Sequence, residues 1–150
     1  MSDAEHWLWR LTAAQWLDAA RHELAQGRDH AHGRRAALVH ARRSGGMALN
    51  ALLAALGEAS DEAERAELEE RWGRSYVEHL RAVADADERV RAPLSVEAVA
   101  AARAVLTMPL QTQVVTLGRG PATDVQATLE AAQRLLEACK AAVTRSSRSE

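Results

Sequence analysis

Leu38, Ala41, Gly45, Leu49, Leu52 and Leu56 recur at steps of three and four, and Ala37, Ala48 and Leu53 widen the stripe they form. That period belongs to an α-helix with one buried side, and it predicts a helix over 34–56. Each leucine of the stripe gains about 1.5–3 kcal/mol on burial, so the helix needs several neighbours to cover it. Gly45 and Gly46 each cost about 1 kcal/mol relative to alanine in a helix interior, which the leucines outweigh. Their missing side chains predict a close helix crossing.

The rest of the chain supplies the neighbours. Thr12 followed by Gln15 has the spacing of a capping box, and Ala13, Trp16, Ala20 and Leu24 then repeat at helical steps, predicting a helix over 12–31 with a turn at Gly33. Ser60-Asp61 opens a third helix, where Asp61, Glu62 and Glu64 suit the positive end of the helix dipole. Its stripe runs Leu68, Trp72, Tyr76, His79, Val83, with Leu80 beside it, but Gly73 interrupts, so 61–86 reads as one helix or as two. Pro93 and Ser95 start a short helix through Val99, Ala102 and Leu106 that Pro109 stops. Residues 107–122 lack helical period, and a connection that long in a small bundle is often functional. A second capping box, Thr123 with Gln126, precedes Val125, Leu129, Ala132, Leu136, Cys139 and Val143. Val114-Val115 is the sole hint of a strand, and no internal repeat is visible. The expected fold is all-α, an antiparallel up-and-down bundle of about five helices. Its boundaries are an N-terminal extension over 1–11, the bundle over 12–144 and a disordered tail over 145–150.

Composition narrows the function classes. A chain of 150 residues with 47% hydrophobic content can bury one core without disulfides or a structural metal. A formal charge of −2 gives no global field to draw it onto a polyphosphate, so a nucleic-acid site would have to be local. Basic charge does cluster at Arg28, Arg34, Arg35, Arg42 and Arg43, with Asp29 the one acid among them, although such a run is more often a solvated helix face. Of nineteen basic residues only Lys140 is a lysine, a bias that a GC-rich coding sequence explains before any function does. The single cysteine, Cys139, excludes an intramolecular disulfide and a multi-thiolate zinc site, and fits a reducing cytoplasm. An acidic start and no apolar run of about eighteen residues make export and membrane insertion unexpected.

Two segments carry a family resemblance. Gln15–Ala25 (QWLDAARHELA) followed by His40–Leu53 (HARRSGGMALNALL) resembles the opening of HEPN proteins, a tryptophan-containing helix and then an alanine-leucine helix. Leu129–Glu137 (LEAAQRLLE) is similar to the family's closing helix, and His79-Leu80 to the start of its third. The likeness covers 12–56 and 122–143. It implies a HEPN-like helical bundle that forms a homodimer, associates with nucleotide or RNA, and often works beside a nucleotidyltransferase-type protein partner. The chain departs from the family at Gly45-Gly46-Met47, where an Ala-Glu-Lys run is usual, and its long loop lacks the common Arg-Tyr-Pro segment.

Many HEPN proteins are metal-independent ribonucleases or toxins that use an arginine and a histidine four to six residues apart. Arg74 and His79 fit, with His79 on the stripe of Trp72 and Tyr76; an imidazole can take a 2′-hydroxyl proton and a guanidinium can stabilise the phosphorane. Arg34 or Arg35 with His40 fits the spacing less well placed, and so many arginines would produce about two such spacings by chance. A histidine on an apolar stripe is more often a hydrogen-bonded core residue. Arg35, His40, Arg42, Arg43 and Tyr76 are the expected binding residues of a noncatalytic module. His30 and His32, with His22 upstream, could suggest a metal, but His30 and His32 point to different helix faces without a metal-ligand pattern, and the turn Gly118–Pro121 matches no phosphate-binding fingerprint, so neither metal nor cofactor is expected. The apolar segment of Leu8, Trp7 and Trp9 either covers the open end of the bundle, the favoured reading, or anchors a partner. The leading expectation is a noncatalytic interaction module; the alternatives are a ribonuclease built on Arg74 and His79, and a structural assembly subunit.

Overall fold

The computed structural model describes residues 7–31, 33–85, 94–109 and 121–148. Among them are a short 3-10 turn at Trp7–Arg10 and six α-helices: α1 Ala13–Asp29, α2 Arg34–Glu58, α3 Glu62–Trp72, α4 Tyr76–Ala84, α5 Val96–Thr107 and α6 Pro121–Arg148. No strand occurs among the described residues, so the fold is an all-α helical bundle. Pro93, His32 and the loop positions 110–120, including Val114, Val115 and Gly118, lie outside the described residues.

Local chemistry sets most of the helix ends. Thr12 and Gln15 form the expected capping box on α1, and Asp61 with Glu64 forms another on α3. Ser95 accepts from the Ala98 N–H at 3.2 Å and starts α5. The stretch 61–86 is two helices. Gly73 adopts φ +85°, which a side chain resists, and there the chain leaves α3 and restarts at Ser75, whose hydroxyl accepts from the Glu78 N–H at 3.1 Å. This break explains why six helices stand where about five were expected. The last helix begins at Pro121, a residue whose fixed φ and missing N–H suit a first helical position, so Thr123 is already inside it.

α2 is the central element, packed against α1, α4 and α6, with fewer contacts to α3 and α5. Its pairing with α1 is antiparallel, because Gly27 approaches Ala37 and His40 while Ala20 meets Ser44. The segments 34–56 and 123–143 are in contact through α2 and α6. Leu38, Leu49, Leu52 and Leu53 from α2 join Leu24, Leu80, Leu129 and Leu135 in one buried core. Gly45 and Gly46 mark the predicted crossing: an alanine Cβ at Gly45 would lie 3.2 Å from both Leu135 and Leu80, and one at Gly46 would lie 2.8 Å from the Tyr76 Cα.

The N-terminal turn also enters the core. Leu8 is buried, its carbonyl accepts from the Trp16 indole N–H at 3.0 Å, and Trp9 packs on Gly57, where an added Cβ would meet the ring. Buried polar groups are mostly satisfied, as the Ser44 hydroxyl donates to the Ala20 carbonyl at 2.8 Å and Thr128 to the Asp124 carbonyl at 2.8 Å. Asn50 is fully buried, and its amide has no hydrogen-bond partner among the described residues. No helix among the described residues is long and apolar enough to cross a membrane.

Cys139 is fully buried on α6, and burial pushes its thiol up to about 12. The thiolate is the reactive form. The native protein should therefore resist a thiol reagent at pH 8 that labels it stoichiometrically once denatured; rapid labelling of the folded chain would contradict this burial.

Candidate functional site

The turn between α3 and α4 separates the two residues of the ribonuclease reading. Arg74 is exposed and its backbone N–H donates to Glu78 Oε2 at 2.7 Å, a bond that holds the Glu78 carboxyl below its ordinary range with help from Ser75. His79 has no accessible surface. Its Nε2 donates to the Gly73 carbonyl at 3.0 Å, and its ring meets Trp72 edge-on with centroids 6.2 Å apart. In this arrangement the imidazole braces the Gly73 turn from inside while Arg74 is exposed.

The arginine cluster divides in a similar way. The Arg28 guanidinium donates to Gln133 Oε1 at 3.0 Å, tying α1 to α6. Arg34 donates to the Pro109 carbonyl at 2.7 Å and lies 3.6 Å from Asp124 Oδ2, so it holds both ends of the 110–120 connection. Arg42 donates to the carbonyls of Leu106 at 3.0 Å and Met108 at 2.7 Å, filling the role of a C-terminal cap for α5, and burial lowers its pKa. Arg42, expected on a binding surface, therefore serves a helix end.

Arg35 and Arg43 remain on the exposed face of α2, two turns apart, with half-buried Val39 between them and half-buried Met47 beyond. Here the structure does bring predicted residues together. His40 Nδ1 donates to Glu23 Oε2 of α1 at 2.6 Å, both side chains being about one-fifth exposed, and the His30 ring stacks on His40 with centroids 5.6 Å apart. Tyr76, at the first position of α4, sits over Gly46 within the electrostatic reach of the same group. Burial raises the pKa of its phenol, the Glu23 charge adds to the rise and Arg43 opposes it, so at neutral pH the hydroxyl keeps its proton.

The resulting patch spans α1, α2 and α4 and holds two stacked imidazoles, a phenol, the exposed Arg43 guanidinium and one carboxylate, with Arg35 exposed two turns away on α2. Its rings offer flat faces to a base and the two guanidiniums offer donors to phosphate. Glu23 was invisible as a site residue in the sequence, because the His40–Glu23 bond depends on the register of α1 against α2, and His30 was weighed there only as a metal ligand. Among the described residues no group of three or more His, Cys, Asp or Glu side chains is placed to hold a metal ion.

No family model matches this chain, and neither a curated protein nor a solved structure matches it.

Proposed function

We propose that the protein is a noncatalytic, HEPN-like antiparallel bundle that binds nucleotide or RNA through the α1–α2–α4 face. The observation that carries this reading is the convergence of Arg43, His40 and Tyr76 around Glu23, with Arg35 exposed two turns before Arg43 on α2. Phosphate would contact Arg35 and Arg43, and an unpaired base would stack on the His30–His40 pair or on Tyr76. Glu23 orients His40 and keeps the patch from being uniformly cationic, which favours a short single-stranded segment over long duplex tracking. The same reading includes a homodimer and a nucleotidyltransferase-type partner, supported by the resemblance of 12–56 and 122–143 to HEPN helices.

Burial of His79 is what favours binding over cleavage. The test is fluorescence anisotropy of a labelled single-stranded oligoribonucleotide with the wild type and with the double variant Arg35→Gln/Arg43→Gln. The variant should bind about tenfold or more weakly, and the slope of log affinity against log salt should fall by about 1 per arginine removed. Equal binding by both proteins refutes the assigned face. A stable oligomer with no affinity for RNA or nucleotide would instead support the structural-subunit reading.

A further inference from the structure

The opposite end of α2 carries a hollow that the nucleotide reading does not use. It lies between the N-terminal turn, the end of α2 and α3, has a volume of about 160 Å³, and is lined by Trp9, Arg10, Leu11, Thr12, Ala54, Glu58 and Arg65. A cavity of about 150 Å³ is large enough for a benzene-sized molecule. Its walls are fixed before any ligand arrives. The Trp9 indole N–H donates to Glu69 Oε1 at 2.6 Å, and its ring rests on Gly57 because that residue has no Cβ. Arg65 Nε donates to the Gly57 carbonyl at 2.9 Å, which holds the guanidinium 5.4 Å from the centre of the Trp9 ring.

The lining of this hollow carries more cationic than anionic side chains, with the Glu69 carboxylate behind Trp9 and engaged by its indole. Two guanidiniums and one carboxylate line it, and among the described residues neither Arg10 nor Arg65 forms an ion pair. The Nη groups of Arg65 make no hydrogen bond among the described residues, since its one bond uses Nε. Thr12 and Gln15 close a reciprocal cap on the first turn of α1, and the lining guanidiniums of Arg10 and Arg65 supply charged donors for a ligand. A planar fork of N–H groups held beside an indole face matches a carboxylate or phosphate attached to a small flat body.

We propose that this hollow binds a small molecule bearing a carboxylate or phosphate group, with the oxyanion on Arg10 and Arg65 and the body against Trp9. Benzoate and inorganic phosphate are suitable probes, each titrated calorimetrically into the full-length protein at low ionic strength. Saturable binding at millimolar concentrations is expected for at least one, and the tighter of the two identifies the oxyanion. Arg10→Gln and Arg65→Gln should each weaken that binding about tenfold. Arg10 is exposed and makes no structural bond among the described residues, so its variant remains decisive even if Arg65→Gln loosens the Gly57 contact. The Arg35→Gln/Arg43→Gln protein should bind the probe as the wild type does, which separates this site from the α2 face. Absence of saturation with both probes, or binding left unchanged by Arg10→Gln, overturns the proposal.

Discussion

Gly46→Ala is expected to destabilise the protein by about 1–3 kcal/mol, the range for forcing extra atoms into a packed interior. Helix propensity alone predicts the opposite sign, a gain of about 1 kcal/mol, because alanine is the better helix former. The crossing decides it. The added Cβ would lie 2.8 Å from the Tyr76 Cα and closer still to its Cβ, so the first turn of α4 would have to move as a body. For a domain of this size each kcal/mol corresponds to about 2–4 °C in Tm. Thermal unfolding followed by circular dichroism reads the change, and a Tm equal to or above that of the wild type would contradict the packing of Tyr76 on α2. Since Tyr76 belongs to the proposed binding face, the same variant should also weaken RNA affinity.

His79→Ala is expected to cost about 2–4 kcal/mol, from the cavity left by a fully buried ring and the loss of its bond to the Gly73 carbonyl. Arg74→Gln should stay within about 0.5 kcal/mol of the wild type, because its side chain is exposed and the bond it makes among the described residues uses the backbone N–H. A bracing role and a catalytic role separate on this pair. Bracing predicts a large stability loss for one variant and none for the other. Catalysis predicts that both variants lose RNA cleavage while urea unfolding midpoints hold, and that result would reverse the assignment of His79.

Much of the helical framework was legible because its determinants are local. The boxes at Thr12–Gln15 and Asp61–Glu64 are written within four residues, and the stripe on α2 reports its own buried side. The break at Gly73 was ambiguous for a physical reason: the stripe from Leu68 to Val83 keeps helical spacing across it, and only the positive φ shows that two helices share that period. Side-chain destinations were far less legible. Arg28, Arg34 and Arg42 read in sequence as part of a basic run on a solvated helix face, yet their partners are Gln133, Pro109 and the end of α5, more than sixty residues away. Nothing near Asn50 in the sequence marks it as a buried amide, since its neighbours Leu49 and Ala51 fit either side of a helix. The hollow at Trp9 and Arg65 likewise needs the N-terminal turn folded back against α2 and α3 before it exists.

Nuclear magnetic resonance titration of the labelled protein with a short oligouridylate addresses the binding face most directly. Amide shifts confined to Glu23, Arg35, Val39, His40, Arg43 and Tyr76, with the RNA intact afterwards, are the outcome anticipated for a noncatalytic module. Shifts centred on Arg74 and His79 accompanied by shortened RNA, or no shifts at saturating ligand, would contradict it.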